Sequence, residues 1–267
     1  MGYSTRRLDR KPTIKSELDL QRMRDAAKIN VEVLQTIWEA IKPGVTTWEL
    51  DQIAYDIIVN KYGAVPAFLN YPPGSRHPFP ATITASINEE LVHGIPSKKR
   101  VLKDGDLISI DCGTIYKGYV ADSAFSKGVG QLDEEASNLL RVTNESLDRA
   151  IEQALPGNRV SDISHATQKH AEKHGFNVPR QYGGHGVGKK MHEEPHIPNW
   201  GKPGKGLRLR PGMTFAIEPM LMAGTHETEV LKDHWTVVSK DRALNAHTEH
   251  TVAVTDNGPE ILTLWDQ

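Results

Sequence analysis

Apolar positions recur along this chain with a helical period in two separate stretches. Leu18, Leu20, Met23, Ala27, Val31, Leu34, Ile37, Trp38 and Ile41 are spaced mostly three or four apart. That spacing predicts an amphipathic helix, which Pro43-Gly44 stops. Thr46-x-x-Glu49 follows as a capping box and opens a second helix running to Gly63. The same order returns further on. Leu139, Leu140, Leu147, Ile151 and Leu155 predict a helix ended by Pro156-Gly157, and Ser161 caps a fourth that stops at Gly175. The intervals from Pro-Gly to the closing glycine are 19 and 18 residues.

Strand-like sequence follows each helix pair, and here too the halves match. Gly105-Asp106-Leu107-Ile108-Ser109-Ile110-Asp111 and Gly212-Met213-Thr214-Phe215-Ala216-Ile217-Glu218 are each a turn glycine, an apolar run and a carboxylate six residues on. Alternate side chains of a strand share a face, so Leu107, Ser109 and Asp111 lie together, as do Thr214, Ala216 and Glu218. A carboxylate closing an apolar strand is costly to bury alone. A hairpin is expected over Leu107–Ile110 and Tyr119–Phe125, turning near Tyr116-Lys117-Gly118. A tight turn centred on residues 116 and 117 puts Asp111 opposite Asp122, and two facing carboxylates repel unless a cation bridges them. Two similar halves packed on each other make one α+β domain over residues 17–267, preceded by a flexible extension over residues 1–16.

Length and composition narrow the class. A chain of 267 residues can bury a full core. A formal charge of −2 supplies no field for nucleic acid or an anionic membrane. The basic run Arg6, Arg7, Arg10, Lys11 and Lys15 reads as a solvated tail. The lone Cys112 excludes an internal disulfide and a cysteine-rich zinc site. The chain has no apolar run of signal-peptide or transmembrane length, so a cytoplasmic protein is expected.

Two further features complete a candidate site. Gly183-Gly184-His185-Gly186-Val187-Gly188 is too glycine-rich for a helix, lets the backbone approach other groups closely, and presents His185. Its ordinary reading is a loop with an incidental histidine. Glu249 lies in Ala246-His247-Thr248-Glu249-His250-Thr251-Val252, leading into a last strand. Taken alone it is an edge-strand surface residue, as Asp111 and Asp122 are strand-end residues in water. Taken together, Asp111, Asp122, His185, Glu218 and Glu249 offer four carboxylates and one imidazole, enough charge for two divalent ions. Such a donor set suits Mn²⁺, Fe²⁺, Co²⁺ or Zn²⁺, and a metal pair of this kind makes a nucleophile of water at neutral pH.

Other motifs fail on context. His192-Glu193-Glu194-Pro195-His196 fits the H-E-x-x-H zinc pattern, but Pro195 and Pro198 break the helix that motif requires. Gly183 to Lys190 resembles a P-loop, yet Lys190 stands where Ser or Thr is needed. No G-x-S-x-G nucleophile elbow occurs.

At these residues the chain resembles the type I methionine aminopeptidases. The matching stretches are Ser86 through Pro96, Ile110-Asp111-Cys112-Gly113, Gly184 through Gly188, Met213 through Met220, and Thr248-Glu249-His250-Thr251. The likeness runs from about Glu17 to Leu264. It implies the pita-bread fold, with two pseudo-symmetric halves. It also implies metal-dependent removal of the initiator methionine from peptides and nascent chains with a small second residue. Asp111, Asp122, His185, Glu218 and Glu249 become ligands of two divalent ions, with Glu218 also the general base and acid. His93 and His192 become substrate contacts, His192 steadying the carbonyl oxygen. Phe68, Tyr71, Phe79 and Trp235 become the methionine pocket, with Met191 where many members have Phe. Pro72 through Pro78 reads as an insertion in that pocket. A monomer working near the ribosome is implied, with no membrane or nucleic-acid partner.

Three other readings are disfavoured. Prolidase-like hydrolases share the five ligands but usually add an N-terminal domain, for which the residues before Glu17 leave no room. Type II enzymes carry a large insertion where only 33 residues separate His185 from Glu218. A non-catalytic pita-bread binding module is disfavoured because all five ligands are present.

Overall fold

The computed structural model describes residues 12–265. Helix α1 (Glu17–Ala40) starts at Ser16, whose hydroxyl accepts from the Asp19 N–H while the Asp19 carboxylate accepts from the Ser16 N–H. It buries Met23, Ala27, Leu34 and Ile37. Leu18 departs from the predicted stripe and is exposed, because two residues before Leu20 is roughly 200° round the helix. Helix α2 (Thr47–Tyr55) begins at the predicted Thr46–Glu49 capping box and continues as a π-helical segment, Asp56–Lys61.

The strands of this half are β1 (Val65–Pro66), β2 (Ile83–Ile87), β3 (Glu90–Val92), β4 (Leu107–Tyr116) and β5 (Tyr119–Gly128). β4 is central, paired antiparallel to β5 along its whole length and to β1 and β2 along its other edge. One face of the sheet packs Ile108, Ile110, Cys112 and Phe125 against Val33, Leu34 and Ile37 of α1. Asn30 sits in that interface with its amide satisfied on both sides, donating to Ser123 Oγ at 2.7 Å and accepting from Thr114 Oγ1 at 2.8 Å.

The β4–β5 register corrects the expected pairing. Tyr116 pairs with Tyr119, Asp111 with Ala124, and Asp122 with Gly113. The reason is the turn. Lys117 (φ 50°) and Gly118 (φ 78°) form a two-residue connection of left-handed residues, which moves the turn centre on by one residue, from 116 and 117 to 117 and 118. Asp111 and Asp122 therefore stand diagonally on one face, rather than directly opposite.

The second half repeats the plan. Helix α3 (Glu134–Ile151) is capped by Asp133, and α4 (Val160–Lys173) follows. Ser161 is not the cap of α4. The Arg159 N–H donates to the Asp162 carboxylate at 2.7 Å, while Ser161 Oγ donates to the Lys205 carbonyl at 2.8 Å. The strands are β6 (Gly183–Gly186), β7 (Glu193–Pro198), β8 (Thr214–Ile217), β9 (Met220–Met222), β10 (Thr228–Val230), β11 (Val237–Ser239), β12 (Asn245–His247), β13 (His250–Thr255) and β14 (Gly258–Ile261). A five-stranded sheet runs β14-β13-β8-β6-β7. Its Phe215 and Ile217 pack on Leu147, Ile151 and Ile163 of α3 and α4, as β4 packs on α1. Gly105 and Gly212, which feed β4 and β8, both have left-handed φ, +88° and +84°, the conformation that favours glycine.

The halves are joined where β5 meets the start of β13. Ala124 and Glu249 exchange backbone hydrogen bonds of 3.2 and 2.9 Å. Thr251 Oγ1 donates to the Asp122 carbonyl at 2.7 Å and accepts from the Asp122 N–H at 3.0 Å.

Residues 1–11 lie outside the described residues, so most of the N-terminal basic run does too. Lys15 is described, and it is not solvated. It is 8% exposed and its Nζ lies 2.8 Å from Glu193 Oε2. Its backbone N–H donates to Gly212 O at 2.7 Å. Among the described residues no helix is long and apolar enough to cross a membrane.

Candidate metal centre

All twelve residues singled out from the sequence line one cavity of about 1480 Å³. Asp111, Asp122, His185, Glu218 and Glu249 form its floor, His93 and His192 flank them, and Phe68, Tyr71, Phe79, Met191 and Trp235 supply an apolar wall.

Each polar group is placed by its element. Asp111 and Asp122 come from the long β4–β5 ladder. His185 pairs with Ala216 across β6 and β8, and Thr251 of β13 pairs with the same Ala216. Glu218 follows β8, its carbonyl held by Asn199 Nδ2 at 3.1 Å. The glycines of β6 serve close approach, since a Cβ on Gly184 would lie 2.3 Å from the Ala216 carbonyl oxygen. The H-E-x-x-H segment is extended as β7, so its histidines do not share a helical face.

His185 Nε2 lies 3.6 Å from Asp122 Oδ2 and 3.5 Å from Glu218 Oε1. Its Nδ1 lies 2.9 Å from the Gly186 carbonyl, an acceptor that places the ring hydrogen on Nδ1 and leaves a lone pair on Nε2. Asp122, His185 and Glu249 offer ligand atoms within 4.8 Å of one another, as do Glu218, His247 and Glu249. His247 did not emerge from the sequence as a site residue. The available signal was its position two residues before Glu249, where extended backbone puts both on one face.

The electrostatics suit a bound cation. Burial raises the carboxyls of Asp111, Asp122, Glu218 and Glu249 above the usual carboxylate range, and neighbouring carboxylates push Asp122, Glu218 and Glu249 higher still. Burial lowers His185 and His247 to about 3, and His93 to about 4, so all three rings are neutral at pH 7. Five buried side-chain polar atoms lack a hydrogen-bond partner among the described residues. Four of them are Asp111 Oδ1, Asp122 Oδ1, His247 Nε2 and Glu249 Oε1. Buried polar atoms are rarely left unpaired, and their concentration here fits ligands of divalent ions. A separate trio, Glu145, His170 and His174, is accounted for locally, since Glu145 already takes Arg141 and His170.

On the substrate side, Tyr71 Oη lies 2.7 Å from His192 Nδ1, and the His192 and His185 rings are 4.3 Å apart. Burial lowers the His192 pKa, keeping it neutral. Phe79 packs edge-on to Trp235 at 5.2 Å and to Phe68 at 6.4 Å. His93 (φ 61°) sits just past β3 with its ring 6.0 Å from Trp235. The segment Pro72–Pro78 returns to the pocket wall, where the Trp235 indole N–H donates to the His77 carbonyl at 3.1 Å.

Sequence comparison agrees with this geometry. The metallopeptidase family M24 model matches residues 21–256. A methionine aminopeptidase of Clostridium acetobutylicum is 51% identical over 253 residues, covering 95% of this chain and 99% of that protein. The chain belongs to the methionine aminopeptidases, within family M24. Methionine aminopeptidase 1 of Bacillus subtilis is 48% identical, covering 93% of this chain and 98% of its own. The crystal structure of the methionine aminopeptidase from Thermotoga maritima matches with a TM-score of 0.92 at 42% identity, over 96% of this chain and 100% of that one. A prolidase from Pyrococcus horikoshii matches with a TM-score of 0.75 at 24% identity, over 95% of this chain but 64% of the prolidase. That likeness is one of fold. The pita-bread architecture of the methionine aminopeptidases is thus the fold of this metallopeptidase.

Proposed function

We propose that this enzyme removes the N-terminal methionine from peptides and nascent chains with a small second residue. It does so with two divalent ions held by Asp111, Asp122, His185, Glu218 and Glu249. The observation that carries the reading is the convergence of these five side chains, from both halves of the fold, on one cavity floor. Bound there, divalent ions supply Lewis acidity and water activated at neutral pH. The apolar wall of Phe68, Tyr71, Phe79, Met191 and Trp235 takes the methionine side chain, with the thioether suited to aromatic edges.

The protein groups then divide the work. Glu218 accepts a proton from the attacking water and returns it to the departing amine. In the tautomer that carries the His192 hydrogen on Nε2, His192 Nδ1 accepts from the Tyr71 O–H at 2.7 Å. A neutral ring held this way donates to the substrate carbonyl oxygen as negative charge develops on it. His93, neutral and wedged against Trp235, contacts the peptide on its nitrogen side. The substrate's free amine identifies the terminus, and cytoplasmic nascent chains are its source.

Peptide hydrolysis tests this reading. Apoprotein given Co²⁺, Mn²⁺, Fe²⁺ or Zn²⁺ in turn should release methionine from Met-Gly and Met-Ala peptides and leave N-acetylated versions intact. Equal cleavage of acetylated peptide, or a preference for Xaa-Pro substrates, would overturn it.

A further inference from the structure

His247 is an imidazole at the centre that the five-ligand reading leaves without a role. It is 2% exposed. Its Nε2 has no hydrogen-bond partner among the described residues, yet lies 3.9 Å from Glu218 Oε2 and 3.7 Å from Glu249 Oε2. It is absent from the cavity lining, so it approaches these carboxylates from within the protein.

The ring is held by a pinned backbone. The His247 N–H donates to Ser126 Oγ at 2.9 Å and to Ser109 Oγ at 3.3 Å, and Ser126 Oγ donates to the His247 carbonyl at 2.7 Å. Ser109 pairs with Ser126 directly across β4 and β5, on the face that carries Asp111 and Asp122. His247 also pairs with Met220 of β9, two residues past Glu218. The strands that present the carboxylates therefore position this ring as well.

The contrast with His185 decides what the ring does. At His185 the Gly186 carbonyl takes the hydrogen on Nδ1, leaving Nε2 as a lone pair. His247 Nδ1 has no such acceptor among the described residues, and its Nε2 faces two carboxylate oxygens. Once both carboxylates are ionised as metal ligands, a lone pair there is repelled by both, whereas an N–H is attracted by both. We propose that His247 is a positioning residue whose Nε2–H donates to the Glu218 and Glu249 carboxylates, fixing which of their oxygens face the metals. This rests on the metal-centre reading above, and follows the general need of ligating carboxylates for an outer hydrogen bond.

The test adds Zn²⁺ alone to ¹⁵N-labelled apoprotein and to its variants, reading affinity by calorimetry and ring protonation by NMR. Wild type should bind two ions with a hydrogen retained on His247 Nε2. His247→Leu should weaken Zn²⁺ binding about 10–100-fold, the usual cost of losing an outer partner of a ligand. His247→Gln, which keeps an N–H donor, should restore most of that loss. The proposal is overturned if Nε2 loses its hydrogen to Zn²⁺, if Gln falls as far as Leu, or if Leu binds as wild type does. Failure of wild type to bind Zn²⁺ at all would overturn the metal-centre reading itself, and the proposal with it. Circular dichroism confirms that each variant is folded.

Discussion

At the scale of single residues, a buried carboxylate and a buried donor have different signatures on removal. Asp111 contributes an oxygen with no protein partner, so Asp111→Asn should lose metal and activity together, read by metal analysis beside peptide hydrolysis. His192 has its Nδ1 engaged by Tyr71 and stands beside the proposed ligand shell. His192→Ala should keep near-normal metal content and lose about 10²–10³ in kcat, the cost of one stabilising donor. Metal loss in His192→Ala would return weight to the H-E-x-x-H interpretation. Asp111, Glu218 and His185 were legible because a carboxylate at the end of an apolar strand, or a histidine between glycines, is out of place without a partner; Asp122 was reached through a facing pair that the register replaces with a diagonal one, and Glu249 only in combination with the others. The Asp111–Asp122 register was not, because it turns on the φ of Lys117, which its side chain does not announce.

At the scale of elements, two devices hold the site in shape. Strand β6 lies so close to β8 that the Gly184→Ala methyl would meet the Ala216 carbonyl at 2.3 Å. The strands must part, taking His185 with them. Gly184→Ala should therefore reduce metal affinity as well as stability, measured by calorimetry and thermal unfolding. The second device is the Lys15–Glu193 pair, in which Thr13 also joins through Lys15 Nζ and Glu193. Glu193 also accepts the Lys189 and Lys190 N–H groups, so the pair clasps the segment bearing Met191 and His192. Lys15→Met removes the cation from the half-buried Glu193, which keeps the Thr13, Lys189 and Lys190 donors, and should cost about 1–2 kcal/mol with a raised KM for methionyl peptides. The helices were legible from their period and stops, and α2 also from its cap, whereas α4 is capped at Arg159 and not at Ser161. Lys15 was not, because its burial depends on Gly188 and Gly212, far along the chain, leaving room for it.

At the scale of the whole molecule, the centre couples folding, metal and protons. The apoprotein's raised carboxyl pKa values mean that it binds protons which metal must displace. Metal binding should release protons, and apparent affinity should rise with pH through these values. Calorimetry in buffers of different ionisation enthalpy reads the release directly. Metal at 100 times its dissociation constant should add about 2.7 kcal/mol of stability, so chelation should lower Tm.

The apolar pocket residues came from the family resemblance, while by itself the sequence determined the doubled order of helices and carboxylate strands and the candidate donors. These are local properties: period, turn chemistry and the cost of burying charge are all written in neighbouring positions. The tertiary structure alone decided which donor atoms meet, that His247 stands behind Glu218 and Glu249, and that Lys15 is buried. Those facts depend on how two sheets, distant in sequence, meet at Ala124 and Glu249. Contacts between segments more than a hundred residues apart leave no periodic trace in either segment.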